Sequence, residues 1–139
     1  MESHIKFFNI AKAISKCSDW KKQHIGVVIV YKNRPIQYGY NTSKEIPMQK
    51  RYNRYRGFNP ESSKNCAHAE MIALNRLVKS KSFTNLDVSK IHVYVYREYK
   101  NGSYALARPC AACEAALRTV GIKHIHYTGN NSLVYERYE

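Results

Sequence analysis

The chain has 139 residues, 44% of them hydrophobic and 24% charged, with only 6 Gly and 4 Pro. This composition excludes disordered, collagen-like and low-complexity chains and is enough to bury a core without disulfide or metal support. Twenty-three Lys and Arg against 10 Asp and Glu leave a net charge of +13; such a field attracts nucleotides, nucleic acid or acidic membrane surfaces without choosing among them.

The longest purely apolar run, residues 27–30, falls far short of the roughly 20 residues a bilayer span needs. Lys6, Lys12 and Lys16 interrupt the N-terminal segment, which lacks the continuous apolar core and cleavage site of a secretory leader, so a cytoplasmic protein with no membrane partner is expected. Over residues 3 to 19, Phe7, Ile10, Ala11, Ile14 and Cys17 recur at three- and four-residue steps, which predicts a first helix with one buried face. Residues 25–31 and 35–41 are β-branched and aromatic and are joined by Lys32, Asn33 and Arg34, the pattern of a hairpin. Pro35 cannot donate to a ladder and should begin its strand or lie on an edge.

Residues 42–65 show no sustained period and are rich in Lys and Arg, and so long a connection reads as a functional loop. A helix follows over residues 67–80, with Met71, Leu74, Leu77 and Val78 as its buried stripe. Residues 91–97 alternate Ile91, Val93 and Val95 with His92, Tyr94 and Tyr96 and predict a strand, and Asn101-Gly102 marks a turn. Pro109 is expected to supply the first turn of an alanine-rich helix that runs to Gly121. Residues 122–128 form another strand, and residues 133–138 read as a last strand or an extended tail. Strands alternating with helices in this order predict a mixed sheet with helices on its faces, and right-handed crossovers for its parallel pairs.

Four cysteines are too few for a disulfide scaffold, and Cys110 and Cys113 form a C-x-x-C pair that, in a cytoplasmic chain, points to metal or redox chemistry. Alone that pair is ambiguous, and a lone His-x-Glu is an ordinary coincidence. Here His68-Ala69-Glu70 opens one predicted helix and Pro109-Cys110-x-x-Cys113 opens the next, the order H-x-E then P-C-x-x-C that marks zinc-dependent nucleobase deaminases. Residues three apart on a helix share a face, so both thiols can close on one ion, and the strand before each helix should deliver its first turn to the same sheet edge. One His and two Cys leave a fourth tetrahedral position for water, the mark of a catalytic zinc site rather than a closed structural one. Glu70, not a ligand, is then placed to move protons.

With these motifs the chain resembles the cytidine and deoxycytidylate deaminase superfamily over most of its length. The segment Gly26-Val27-Val28-Ile29-Val30 is similar to the family's Gly-Ala-Val-like strand, and Gly39-Tyr40-Asn41 to its Gly-Tyr-Asn turn. The resemblance implies one cytidine deaminase-like, zinc-binding catalytic domain over residues 1–139. Its implied fold is α/β, a three-layer αβα sandwich around a mixed five-stranded sheet. It implies Zn2+ held by His68, Cys110 and Cys113, with Glu70 catalytic, Asn41 on the substrate's sugar or base, and Ala69 lining the base pocket. Hydrolysis of cytosine to uracil in a nucleotide such as deoxycytidylate (dCMP), with release of ammonia, is the activity expected. After Asn41 the sequence runs Thr42-Ser43-Lys44-Glu45-Ile46-Pro47 rather than the family's Gly- and Pro-rich stretch. Members often assemble through their helices, so a homo-oligomer is a further expectation.

Residues 49–59 interleave Tyr52, Tyr55 and Phe58 with Lys50, Arg51, Arg54 and Arg56. Aromatics that stack bases and cations that follow phosphates are the division of labour in single-strand binding, so Arg51, Tyr52, Arg54, Tyr55 and Arg56 are candidate phosphate or nucleic-acid contacts. The plainer reading has the tyrosines packed on the sheet and the arginines on one nucleotide phosphate or a neighbouring subunit. Single-stranded DNA or RNA is thus the alternative substrate, adenosine in transfer RNA a third, and a nucleic-acid-binding module stapled by structural zinc the non-enzymatic one. Cys66, two residues before His68, is a candidate stray ligand but reads more readily as a small buried hydrophobe; His124 and His126 read as one face of a strand, and Cys17, His4 and His24 follow no ligand pattern.

Overall fold

The computed structural model describes residues 2–19, 23–43, 46–52 and 67–139. Helix α1 (Glu2–Ser15) turns Phe7, Phe8 and Ala11 onto the sheet and stops short of residue 19. Ser15 Oγ donates to the Lys12 carbonyl at 2.6 Å, and the amides of Lys16, Cys17 and Ser18 reach three residues back, so the end of the helix tightens and then breaks. Cys17, expected on the buried stripe, is exposed.

Strands β1 (Ile25–Tyr31) and β2 (Arg34–Tyr40) form the expected hairpin. Its turn is only Lys32 and Asn33, with φ of 51° and 62°, the left-handed pair whose twist suits a two-residue hairpin. Arg34 therefore starts β2 instead of belonging to the turn. Pro35 lies on an edge strand, beside the register shift opposite Ile29 and Val30, where its missing N–H interrupts no inner ladder.

The next elements are α2 (Pro47–Tyr52), α3 (Ala69–Lys79), β3 (Ile91–Arg97), α4 (Ala111–Val120), β4 (His124–Thr128) and β5 (Leu133–Arg137). Helix α2 corrects the reading of residues 42–65 as loop throughout; six residues are too few to show a period. Residues 133–137 resolve as a strand. Gly121, at φ 102°, ends α4, and the Ile122 amide bonds back to the Leu117 carbonyl, so Ile122 closes the helix and β4 begins two residues later than expected.

The sheet order is β2-β1-β3-β4-β5, with only the β3–β4 pair parallel. The expected mixed five-stranded sheet is thus present, and helices cover both faces as an αβα sandwich. Helix α1 packs on Val28, Val30, Tyr94 and Tyr96, whereas α3 and α4 pack on Val27, Ile29, Val93, Val95 and Ile125. Because β1 is antiparallel to both β2 and β3, those two strands run the same way and end at the same end of the sheet. Helix α4 follows β3, and after α2 the Thr42–Ala67 pairing returns the chain to the end of β2 just before α3 begins, so the N-termini of α3 and α4 meet there. Their meeting place is an end of the sheet rather than the expected edge, since β3 is central.

Two glycines set how close the helices come. A methyl group at Gly26 would collide with the Ala11 carbonyl of α1, and one at Gly39 would lie 2.6 Å from the Ala69 carbonyl of α3. Among the described residues no helix is long and apolar enough to cross a membrane.

On the α1 side, β3 and β4 carry a stack of rings. His126 stacks on Tyr94 at 4.2 Å and on His4 at 4.8 Å, and His92 stacks on His124 at 4.3 Å. His92 Nδ1 and His126 Nε2 are 2.8 Å apart, which one proton satisfies, and His4 Nδ1 bonds the Tyr94 hydroxyl at 2.6 Å. Burial first, then the neighbouring imidazoles, push His92 down to about 4 and His126 down to about 3. Both are neutral in the fold, while the unfolded chain protonates them below their ordinary value of about 6.5. Stability is therefore insensitive to these groups above about pH 6.5 and falls as the pH drops from there toward 4. The melting temperature is expected to fall between pH 7 and pH 5, with a shallower fall for His126→Phe; equal slopes in the two proteins would place the acid sensitivity elsewhere.

Candidate metal centre

His68 is the N-cap of α3 and Cys110 the N-cap of α4, with Cys113 in that helix's first turn. Pro109, expected inside the helix, precedes the cap instead. The chain reaches Cys110 along a fixed path. Ala105 N–H donates to the Arg97 carbonyl at the end of β3, Ala107 N–H to the Thr128 carbonyl at the end of β4, and the buried Thr128 Oγ1 donates to Ala105 O at 2.7 Å. Arg108 Nε and Nη2 each lie 3.1 Å from a Glu136 carboxylate oxygen on β5, a two-point ion pair that holds the residue just before Pro109.

At the meeting of the two helix starts, His68 Nδ1 is 3.5 Å from Cys110 Sγ and 3.4 Å from Cys113 Sγ. One ligand atom from each of the three lies within 4.8 Å of the others. With bond lengths of about 2.3 Å to sulfur and about 2.0 Å to nitrogen, a tetrahedral zinc sets sulfur and nitrogen about 3.5 Å apart. The residues present fit that ion in donor type and spacing. Among the described residues His68, Cys110 and Cys113 make up the whole group, and three protein donors are the number a reactive zinc site uses.

The electrostatics favour anionic sulfur. A hydrogen bond from the Cys113 thiol, with further help from His68, brings Cys110 down to about 3 against its own burial. The positive dipole ends of the two helices that begin here act in the same direction.

Glu70 is only 6% exposed, and its Oε1 has no hydrogen-bond partner. Burial pushes its carboxyl above the usual range, and the His68 charge opposes this. A buried carboxyl with raised proton affinity beside three metal donors, with an open lone pair, is suited to exchange protons with a small molecule held there.

The other expected residues are placed differently. Asn41 is buried at the same end of the sheet; its Oδ1 accepts from Ile25 N–H at 2.9 Å and its Nδ2 donates to the Gln23 carbonyl at 2.8 Å. Ala69 is fully buried at the first turn of α3. Arg51 is exposed on α2, and Tyr52 packs against the main core. Arg54, Tyr55, Arg56, Phe58 and Cys66 lie outside the described residues. Sequence reasoning missed Gln49: only 1% exposed on α2, its Oε1 accepts from the His68 backbone N–H at 3.0 Å. Pro47, a residue favoured in the first turn of a helix, was the one local signal for the helix that carries it.

A sequence model of the cytidine and deoxycytidylate deaminase zinc-binding region matches residues 1–128. No curated protein matches the chain significantly. Among solved structures, a cytidine deaminase from Burkholderia pseudomallei superposes with a TM-score of 0.65 at 16% identity, covering 96% of this chain and 91% of that one. The apo dCMP deaminase of cyanophage S-TIM5 does so at 0.64 and 19%, covering 92% and 83%. The same phage enzyme in complex with dCMP and dUMP gives 0.62 at 18%, covering 91% and 80%. At such identities the likeness is one of fold.

Purified wild-type chain is expected to carry about one zinc per chain, and chelation should lower its melting temperature, because ion binding stabilises the folded state by mass action. His68→Ala and Cys113→Ala should each hold far less zinc by elemental analysis; full occupancy in either would dissolve the ligand set.

Proposed function

The chain belongs to the cytidine and deoxycytidylate deaminase family, and from that premise we propose that it hydrolyses a free cytosine nucleotide such as dCMP to the uracil nucleotide and ammonia. As a member it is a zinc-dependent hydrolytic deaminase. The observation that carries the fuller reading is the buried Glu70, with an unpartnered oxygen, beside the convergent His68, Cys110 and Cys113. When bound, zinc supplies Lewis acidity that makes water a nucleophile near neutral pH.

The chain's own residues do the rest. His68 through Nδ1 and the thiolates of Cys110 and Cys113 hold the ion. Glu70 takes a proton from the attacking water and hands it to the ring nitrogen of the cytosine; a second transfer to the exocyclic amine lets it leave as ammonia, so water's two hydrogens and oxygen are all accounted for. The raised affinity of Glu70 for protons suits both halves of that shuttle. Ala69, small and buried, leaves room for the base beside Glu70. Asn41 keeps a second amide hydrogen and a second carbonyl lone pair beyond its bonds to Gln23 and Ile25, and these are what a sugar hydroxyl would use.

A second reading, cytosine in single-stranded nucleic acid, draws support from Lys50 and Arg51, which stand beside Gln49 and hence close to the His68 backbone. The packing of the half-buried Tyr52 against the core favours the free nucleotide, since a ring with one side committed to the core has less face to offer a base. In the same reading residues 1–139 form one catalytic domain, and self-association through the helices, a habit of the family, goes with it.

Incubation of the purified chain with dCMP, cytidine and a cytosine-containing single-stranded oligonucleotide, read by mass for uracil, should show conversion of dCMP; reaction of the oligonucleotide alone would replace the first reading by the second. Glu70→Ala should keep zinc yet lose about 10²–10⁴-fold in ammonia release, the usual weight of general acid–base catalysis. Turnover unchanged in that variant would remove Glu70 from the mechanism.

A further inference from the structure

The N-cap amide of a helix is commonly satisfied from within, by a Glu or Gln three residues on that reaches back to it. Helix α3 has no such partner, because that position is Met71, buried in the core. Nor does the His68 side chain cap the helix it begins: its ring is turned to the two sulfurs, with Nδ1 3.5 and 3.4 Å away. The ligand that must be placed most accurately thus stands at a helix end that its own sequence does not cap.

The missing acceptor comes from another helix. Gln49, 19 residues upstream on α2, offers Oε1 to His68 N–H at 3.0 Å. Its own place is well fixed. Met48 beside it is buried in the main core, Tyr52 packs on that core, and Lys50 N–H bonds the Ile46 carbonyl. The two flanks of the segment are tied by a reciprocal pair of bonds, Thr42 N–H to Ala67 O at 3.0 Å and Ala67 N–H to Thr42 O at 2.9 Å.

We propose that Gln49 is a positioning residue for the metal centre: its side-chain carbonyl supplies from α2 the cap that α3 lacks, and so fixes the backbone from which the His68 imidazole reaches the ion. The inference rests on the reading of His68 as a zinc ligand. A metal site tolerates ligand displacements of about 0.2 Å, so even a small rotation about the His68 backbone, which carries Nδ1 with it, is felt at the site. Loss of the acceptor would also cost that part-buried N–H its bond to Gln49, which the chain would relieve by shifting the very residue that carries the ligand.

The test compares Gln49→Leu and Gln49→Met, which remove the acceptor at similar volume, with Gln49→Glu, which retains it. Zinc affinity is measured by competition with a chromophoric chelator, and ligand geometry by the visible bands of the cobalt(II)-substituted protein, on full-length chains shown by circular dichroism to be folded. The apolar variants should bind zinc about 10- to 100-fold more weakly, the range for residues that support a ligand, with altered cobalt bands, and Gln49→Glu should recover most of both. Should Gln49→Leu fail to fold, the unbranched Gln49→Met carries the comparison. Zinc affinity within twofold of wild type and unchanged cobalt bands in a folded apolar variant would overturn the proposal. If His68→Ala bound zinc as tightly as wild type, the ligand reading beneath the proposal would fall instead.

Discussion

Two sulfurs and one imidazole nitrogen lie within 4.8 Å of each other because two helices begin at the same end of one sheet. That constraint is topological before it is chemical. Strand β1 is antiparallel to β2 and β3, so those strands end together; α4 follows β3, and the Thr42–Ala67 pairing brings the start of α3 back to the end of β2. The N-cap of α3 brings the nitrogen, the N-cap and first turn of α4 bring the sulfurs, and both helix ends offer positive partial charge to the anionic sulfur that a metal requires.

The surrounding structure guards that meeting point. Gly39 lets α3 lie against β2 with no side chain between them, so the strand's direction sets where the helix starts. Thr128, Ala105 and Ala107 lash the segment before α4 to the ends of β3 and β4, and the Arg108–Glu136 pair adds an electrostatic anchor. The anchor is exposed, so its worth is geometric more than energetic. Asn41, through Gln23 and Ile25, pins the start of β1 at the same end.

On the far side of the sheet a different economy operates. His92 and His126, beneath α1, are held neutral by burial and by the neighbouring imidazoles, and a cavity of about 400 Å³ opens beside His4, Phe8, His92, His126 and Tyr135. His124 and His126 were legible as one strand face, and that is what they form. Among the described residues they do not gather into a further metal group.

What the sequence by itself determined is the chemistry and most of the elements. The H-x-E and P-C-x-x-C motifs name the donors, and the periods of residues 3–15, 69–79 and 91–97 survive folding because each is set by neighbours in the chain. The short helix α2 was hidden, since six residues cannot display a period, and the end of α1 was misjudged because Ser15 turns its hydroxyl back on the helix. Only the tertiary structure decided that Glu70 would keep an unpartnered buried oxygen, that Asn41 would hold β1, and that Gln49 would cap the helix carrying His68. Burial and long-range hydrogen bonds depend on which distant segments become neighbours, and that is settled by the packing of the sheet and its helices, not by local spacing.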